Sequence, residues 1–86
     1  MSIYRKKPVE IEAIQWDGFN AAELIAFAGD NIEVDQKNGQ VRVVTHEGIM
    51  IASPEDYIIK EPNPTDDRKF YPCKEDIFHK TYEKVR

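Results

Sequence analysis

The chain has 86 residues, with 12 Lys and Arg against 16 Asp and Glu, giving a formal net charge of −4. This length supports one domain, residues 1–86, with a thin core, and it excludes a deep catalytic cleft between two lobes. A single cysteine excludes an internal disulfide framework and a cysteine-based zinc site, so we expect a cytoplasmic protein. No apolar run reaches the ~20 residues of a membrane-spanning helix, and the first eight residues lack the apolar stretch of a signal peptide, so no membrane association is expected.

Three cations, Arg5, Lys6 and Lys7, stand near the N-terminus without a neighbouring acid. The rest of the chain has 9 basic against 16 acidic residues, a net charge of about −7. Broad nucleic-acid binding needs a basic face, so an acidic body argues against it. We interpret the three cations as a solvated strand end; the alternative is a small anchor for a phosphate or an acidic partner.

The first predicted strand changes its alternation part-way along. Apolar residues occupy odd positions up to Ala13 and even positions from Ile14 to Trp16. This change predicts a β-bulge or bend near Ala13–Ile14, which lets one strand serve two sides of a curved sheet. Asp17-Gly18 ends the strand.

A helix is predicted to begin at residue 21 and to run for about eight residues. Asn20 is the expected N-cap for the N–H of Glu23, and Glu23 is placed to reach back to it. Phe19 and Leu24 have the spacing of a hydrophobic staple. Gly29 tolerates the left-handed conformation that commonly follows a helix.

Asn38-Gly39 lies between two alternating apolar segments, the strongest local signal for a β-hairpin. We predict a two-residue type I′ turn, because Asn and Gly tolerate the positive φ that it requires. That turn places Val34 opposite Val43 and Ile32 opposite Thr45.

Turns at Glu47-Gly48 and Ser53–Asp56 are predicted to lead into strands at Ile49–Ala52 and Tyr57–Lys60. The C-terminal part is predicted to begin with a long polar loop over residues 61–67 and a strand at Arg68–Tyr71 that Pro72 stops. A single turn at Lys74–Ile77 and a last strand from Phe78 to Val85 are predicted to follow. The fold class is therefore α+β: a small, strongly bent, mostly antiparallel β-sheet or partly open barrel with one short helix.

Nothing in the sequence predicts an enzyme, a metal site or a cofactor. Cys73 has no activating base at a defined position, since His79 is six residues away across an uncertain turn, and we interpret it as an inert thiol. His46 and His79 lack the spacing of metal ligands. Glu10 and Glu12 are interpreted as a solvated strand face.

The aromatic residues are numerous for so small a domain. Core packing is the preferred interpretation of these rings, because aromatic side chains dominate small cores. The alternative is that exposed rings stack on a base or ribose while nearby cations meet a phosphate. The residues predicted for such a ligand site are Arg5, Lys7, Trp16, Tyr57, Lys60 and Tyr71.

Three segments, 4–16, 52–60 and 70–82, cover 35 of the 86 residues and carry a family resemblance. The chain resembles small uncharacterised phage and prophage proteins related to those named for a Pro-Gly-Asp-Tyr-Gly motif. Two positions depart from that motif: Glu55 replaces its first Gly and Ile58 its second. Glu55 therefore either avoids positive φ or is strained. The resemblance implies a phage or prophage origin and a location in the host bacterial cytosol, but no established activity.

From these observations we expect a non-enzymatic accessory protein that acts by binding. The leading hypothesis is an oligomeric sponge that sequesters a nucleotide-type host defence signal. The alternative is a protein-protein interaction module for a host or virion protein, using an exposed sheet edge; a hydrolase of a small phosphate ester is third. A homo-oligomer is expected, because apolar residues on both faces of Ile49–Ile51 and Tyr57–Ile59 need a cover.

Overall fold

A computed structural model describes residues 11–45, 47–60 and 70–83, together with Ser2. The described elements, in chain order, are β1 (Glu12–Gln15), α1 (Ala21–Ala28), a 3-10 turn (Gly29–Asn31), β2 (Ile32–Asp35), β3 (Gln40–Thr45), β4 (Gly48–Ala52), β5 (Tyr57–Lys60), β6 (Phe70–Cys73) and α2 (Glu75–Thr81). The strands form two antiparallel sheets, ordered β1-β5-β6 and β2-β3-β4. The predicted α+β class is confirmed, with the strands divided between two sheets and a second short helix.

The core draws on both sheets and on the inner face of α1. Its fully buried large side chains are Trp16, Leu24, Val41, Val43, Ile58 and Ile59. Ile58 and Ile59 are adjacent on β5 and point to opposite faces, so both faces of this central strand are covered. Apolar residues on both faces of Tyr57–Ile59 therefore need no second subunit as a cover.

The predicted start and length of α1 are confirmed, and Glu23 reaches back to Asn20 as predicted, but the predicted hydrogen bond from the Glu23 N–H to the Asn20 side chain and the predicted staple are wrong. The Asn20 side chain does not accept a backbone N–H of α1: its Oδ1 accepts the Asp17 N–H (3.0 Å), and its Nδ2 donates to the Gln15 carbonyl (2.8 Å) and to Glu23 Oε1 (2.9 Å). The side chain of Phe19 is 94% exposed and does not form a staple. Asn20 thus secures the preceding turn instead of the first free N–H groups of α1.

The β2–β3 hairpin is present, but its predicted type I′ turn is wrong. Its loop contains four residues, 36–39, and Gly39 has a φ of +69°. Asn38 is not among the described residues with positive φ, and a type I′ turn requires it there. The Asp35 carboxylate instead accepts the backbone N–H (3.2 Å) and side-chain amide (2.8 Å) of Asn38. These hydrogen bonds to Asn38 lower the pKa of Asp35.

The longer loop displaces the hairpin register by two residues. Val34 lies opposite Val41 and Ile32 opposite Val43. Because side chains alternate with a period of two, this displacement changes the partners without changing which face each side chain occupies. The prediction of which side chains of β2 and β3 face the core is therefore correct, although the predicted pairing is wrong.

No bulge interrupts the described part of β1, which pairs regularly with β5 from Glu12–Lys60 to Gln15–Tyr57. The predicted bulge at Ala13–Ile14 is wrong, and an irregularity lies instead on the opposite strand. Trp16 donates its N–H to the carbonyl of Asp56 (2.9 Å) and accepts the N–H of Glu55 (2.6 Å). Two residues thus face one, which is the pattern of a β-bulge.

This bulge is fused to the turn before β5. The N–H of Asp56 donates to the Ser53 carbonyl (3.0 Å), and Glu55 has a φ of +82°, with Pro54 before it. Pro followed by a residue of positive φ is the arrangement of a type II turn, and glycine usually occupies both that position and the first position of a G1 bulge. The sequence predicted that Glu55 would either avoid positive φ or be strained, and the structure shows the strained conformation. Among the described residues, Glu55 is the only non-glycine residue with positive φ.

The C-terminal prediction fails at two points. Pro72 does not stop β6: it lies within the strand opposite Ile58, at an outer position of its sheet where a missing N–H is tolerated. The predicted strand beginning at Phe78 is wrong, because α2 continues to Thr81. Phe78 and Tyr82 are four residues apart, so a helix brings their rings together on one side, with centroids 5.1 Å apart. Residues 61–69 and 84–86 lie outside the described residues.

Candidate functional site

The predicted ligand residues do not form one described cluster. Arg5 and Lys7 lie outside the described residues. Trp16 is fully buried, and its Nε1 donates to the Gly39 carbonyl (2.8 Å). Its ring therefore packs in the core, as the preferred interpretation held, and offers no surface for stacking on a ligand.

Tyr57 and Tyr71 share one face of the β1-β5-β6 sheet, because their strand partners are Cys73 and Ile59. Side chains alternate along β5, which places Lys60 on the opposite face. The predicted combination of Lys60 with these two rings on one surface is therefore not formed.

Both tyrosines contact other aromatic side chains. The Tyr57 ring stacks on Phe78 with centroids 3.8 Å apart and an angle of 5° between the planes. The rings of Tyr57 and His79 are nearly perpendicular, with centroids 5.6 Å apart. The Tyr71 hydroxyl lies 3.1 Å from that of Tyr82. These contacts fix α2 against the sheet.

Cys73 is half-buried, and its Sγ donates to the Lys74 carbonyl at 3.6 Å. Burial raises the pKa of the Cys73 thiol, and the carboxylates of Asp56 and Asp76 raise it further. The protonated thiol is the poorer nucleophile, so this environment does not activate Cys73. No group of three or more His, Cys, Asp or Glu within the described part of the chain is arranged to hold a metal ion.

The most distinctive described feature is an apolar edge surface, which we define as Ile49, Met50, Ile51 and Ile77. The first three form the centre of β4, and their exposed fractions are 67%, 41% and 43%; Ile77 on α2 is 53% exposed. The sequence predicted apolar residues on both faces of Ile49–Ile51, and these three residues form the β4 part of the surface. Ile77 was missed, because the sequence gives no local sign that α2 lies beside β4.

A groove of about 310 Å³ runs along this surface, between β4 and the β6–α2 connection. It is lined by Met50, Ile51, Asp56, Pro72, Cys73, Lys74 and Ile77. The nearly buried Asp56 carboxylate accepts Lys74 Nζ (2.9 Å) and the Ser53 N–H (2.9 Å). One ion pair therefore secures an otherwise apolar groove.

β4 differs from the other strands at the outer positions of the two sheets. The other three outer strands carry acidic side chains or a proline: Glu12 on β1, Glu33 and Asp35 on β2, and Pro72 on β6. Charges and prolines are the usual means by which proteins prevent strand addition at a sheet edge. β4, Gly48–Ala52, carries neither. Among the described residues, no strand pairs with its outer side.

Comparisons with family models, curated proteins and solved structures find no match to this chain. The resemblance to phage and prophage proteins thus remains a prediction. Neither described helix has the length and apolar content needed to cross a membrane.

Proposed function

We propose that this chain is a non-enzymatic binding module that docks a protein partner along β4. The observation that carries the proposal is the edge that β4 presents within the described part of the chain: a five-residue outer strand without charge or proline, with Ile49 two-thirds exposed. An extended segment can add to such an edge through main-chain hydrogen bonds, while side-chain pockets select its sequence.

The groove supports the same proposal. It lies directly beside β4, and its apolar lining matches a partner side chain more closely than a phosphate. The groove contains one thiol, that of Cys73, and its pKa is raised. A thiol that stays protonated is a poor nucleophile, which favours binding over covalent chemistry. The role of an accessory protein in a phage or prophage remains part of this proposal.

Site-specific photocrosslinking in the cell of origin tests the proposal. A benzophenone amino acid placed at position 49 should give covalent adducts with protein. The matched control is position 25, where Ile25 on α1 is 53% exposed. Ile51→Lys should suppress the adducts formed at position 49, because a charge on β4 opposes strand addition. An absence of protein adducts at position 49, or the same adducts from both positions, would refute the function.

A further inference from the structure

We infer that the partner at β4 is a second copy of this chain, paired antiparallel with Met50 opposite the partner's Met50. The inference rests on the proposed function and names the occupant of the same surface. The resulting dimer would join two three-stranded sheets into one six-stranded sheet about a two-fold axis. Such an interface is isologous, since the same strand serves both subunits.

The charge pattern favours self-pairing in this register. Gly48–Ala52 carries no charge, and the nearest acids on either side are Glu47 and Glu55. With Met50 at the two-fold axis, Glu47 faces the partner's Ser53 and Glu55 faces the partner's Thr45. No like charges meet across the strands, although the chain as a whole carries −4.

The outer face of the sheet also becomes self-complementary. Ile49 and Ile51 point to this face, because they pair with Val44 and Arg42 of β3 while the buried Val43 points to the core. In the proposed register Ile49 lies opposite the partner's Ile51, and the symmetry repeats the pair. Four isoleucines then form one cluster, and pairs of β-branched residues are favourable across strands.

The groove accommodates the remaining apolar side chain. Met50 points to the other face of β4, where the groove is lined by Pro72, Cys73 and Ile77. The partner's Met50 approaches from the side of β4 on which no described strand pairs, and it enters the same region. A flexible thioether chain suits an irregular apolar space. The dimer therefore brings Ile49, Met50 and Ile51 of both subunits into contact across the two-fold axis and places the partner's Met50 in the groove beside Ile77.

Sedimentation and light scattering of the purified protein test the inference. The wild-type chain should show twice the single-chain mass of 10.0 kDa at micromolar concentration. Ile49→Lys should raise the dimer dissociation constant by at least about tenfold. Ile25→Lys, the same change at another exposed isoleucine, should leave it unchanged.

Disulfide trapping gives a second measurement that does not depend on a destabilising variant. In a Cys73→Ser background, Met50→Cys should form a covalent dimer on mild oxidation, since directly opposed antiparallel residues have Cα separations of about 4.5–5.5 Å, within disulfide range. Ile25→Cys in that background is the control. A monomeric wild-type chain without trapping at position 50, or trapping that is equal at position 25, overturns the inference. Photocrosslinks from position 49 to a different protein would then show that the proposed function stands with another partner.

Discussion

Replacing Glu55 with glycine is expected to stabilise the protein. Glu55 has a φ of +82° at the junction of the type II turn and the bulge opposite Trp16. A left-handed conformation costs a non-glycine residue about 1–2 kcal/mol. Glycine removes this cost but adds freedom to the unfolded chain, which offsets about 0.4–1 kcal/mol. The difference between these two ranges is about 0–1.6 kcal/mol, and its middle value, about 0.8 kcal/mol, is the expected net gain in the free energy of unfolding.

The contacts of Glu55 do not alter this sign. Its Oε2 lies 3.3 Å from Gln15 Nε2 in an exposed position, where a hydrogen bond contributes little. The stronger contact, from the same amide to the Glu55 carbonyl at 3.0 Å, uses the backbone and is retained by glycine. The N–H of residue 55 also still donates to Trp16.

Thermal and urea unfolding measure the effect. For a domain of this size a gain of about 0.8 kcal/mol corresponds to a rise in Tm of about 3–6 °C. Glu55→Ala keeps the positive-φ strain and should show no gain. Glu47→Gly lies in another exposed turn at a residue without positive φ, and it should lower stability by about 0.4–1 kcal/mol. A Glu55→Gly variant no more stable than Glu55→Ala would refute the strain argument.

Three further predictions concern stability and pH. Gly39→Val should cost more than about 1 kcal/mol, because a β-branched residue is strained at a φ of +69°; an unchanged urea midpoint contradicts this. Asp56→Ala should lower the free energy of unfolding by about 1–3 kcal/mol, because the Ser53 N–H and Lys74 Nζ lose their acceptor. Asp30→Ala, at an exposed site, is the control and should change it little; equal losses from the two variants contradict the prediction. The pKa of Asp35 is lowered, so the contribution of its carboxylate to stability is present above the unfolded-state pKa and lost as pH falls through the folded-state pKa. NMR titration should show this lowering in the wild type and a smaller lowering in Asn38→Ala, which removes the side-chain amide but keeps the backbone N–H of residue 38; an unchanged pKa of Asp35 in that variant contradicts the assignment.

Local chemistry determined the features that the sequence predicted well. The bounds of α1 follow from the turn residues before it and from Gly29 after it, which has a φ of +57°. The β2–β3 hairpin follows from Gly39 between alternating strands, and the apolar character of β4 from its composition. Each of these signals lies within a few residues of its effect, where steric limits and side-chain periodicity act directly.

Tertiary structure decided the rest. The site of the bulge depends on Trp16 meeting both Glu55 and Asp56, residues about forty positions away. The prediction of a strand at Phe78–Val85 could not take into account that Phe78 stacks on Tyr57, a contact that packs α2 against the sheet. Both sequence and tertiary structure determine the apolar edge surface. The composition of β4 makes this strand apolar and uncharged, but only the order of the strands places it at the outside of its sheet. Residues distant in sequence meet only in the folded chain, and the free energy of their packing exceeds the small local preferences on which sequence prediction depends.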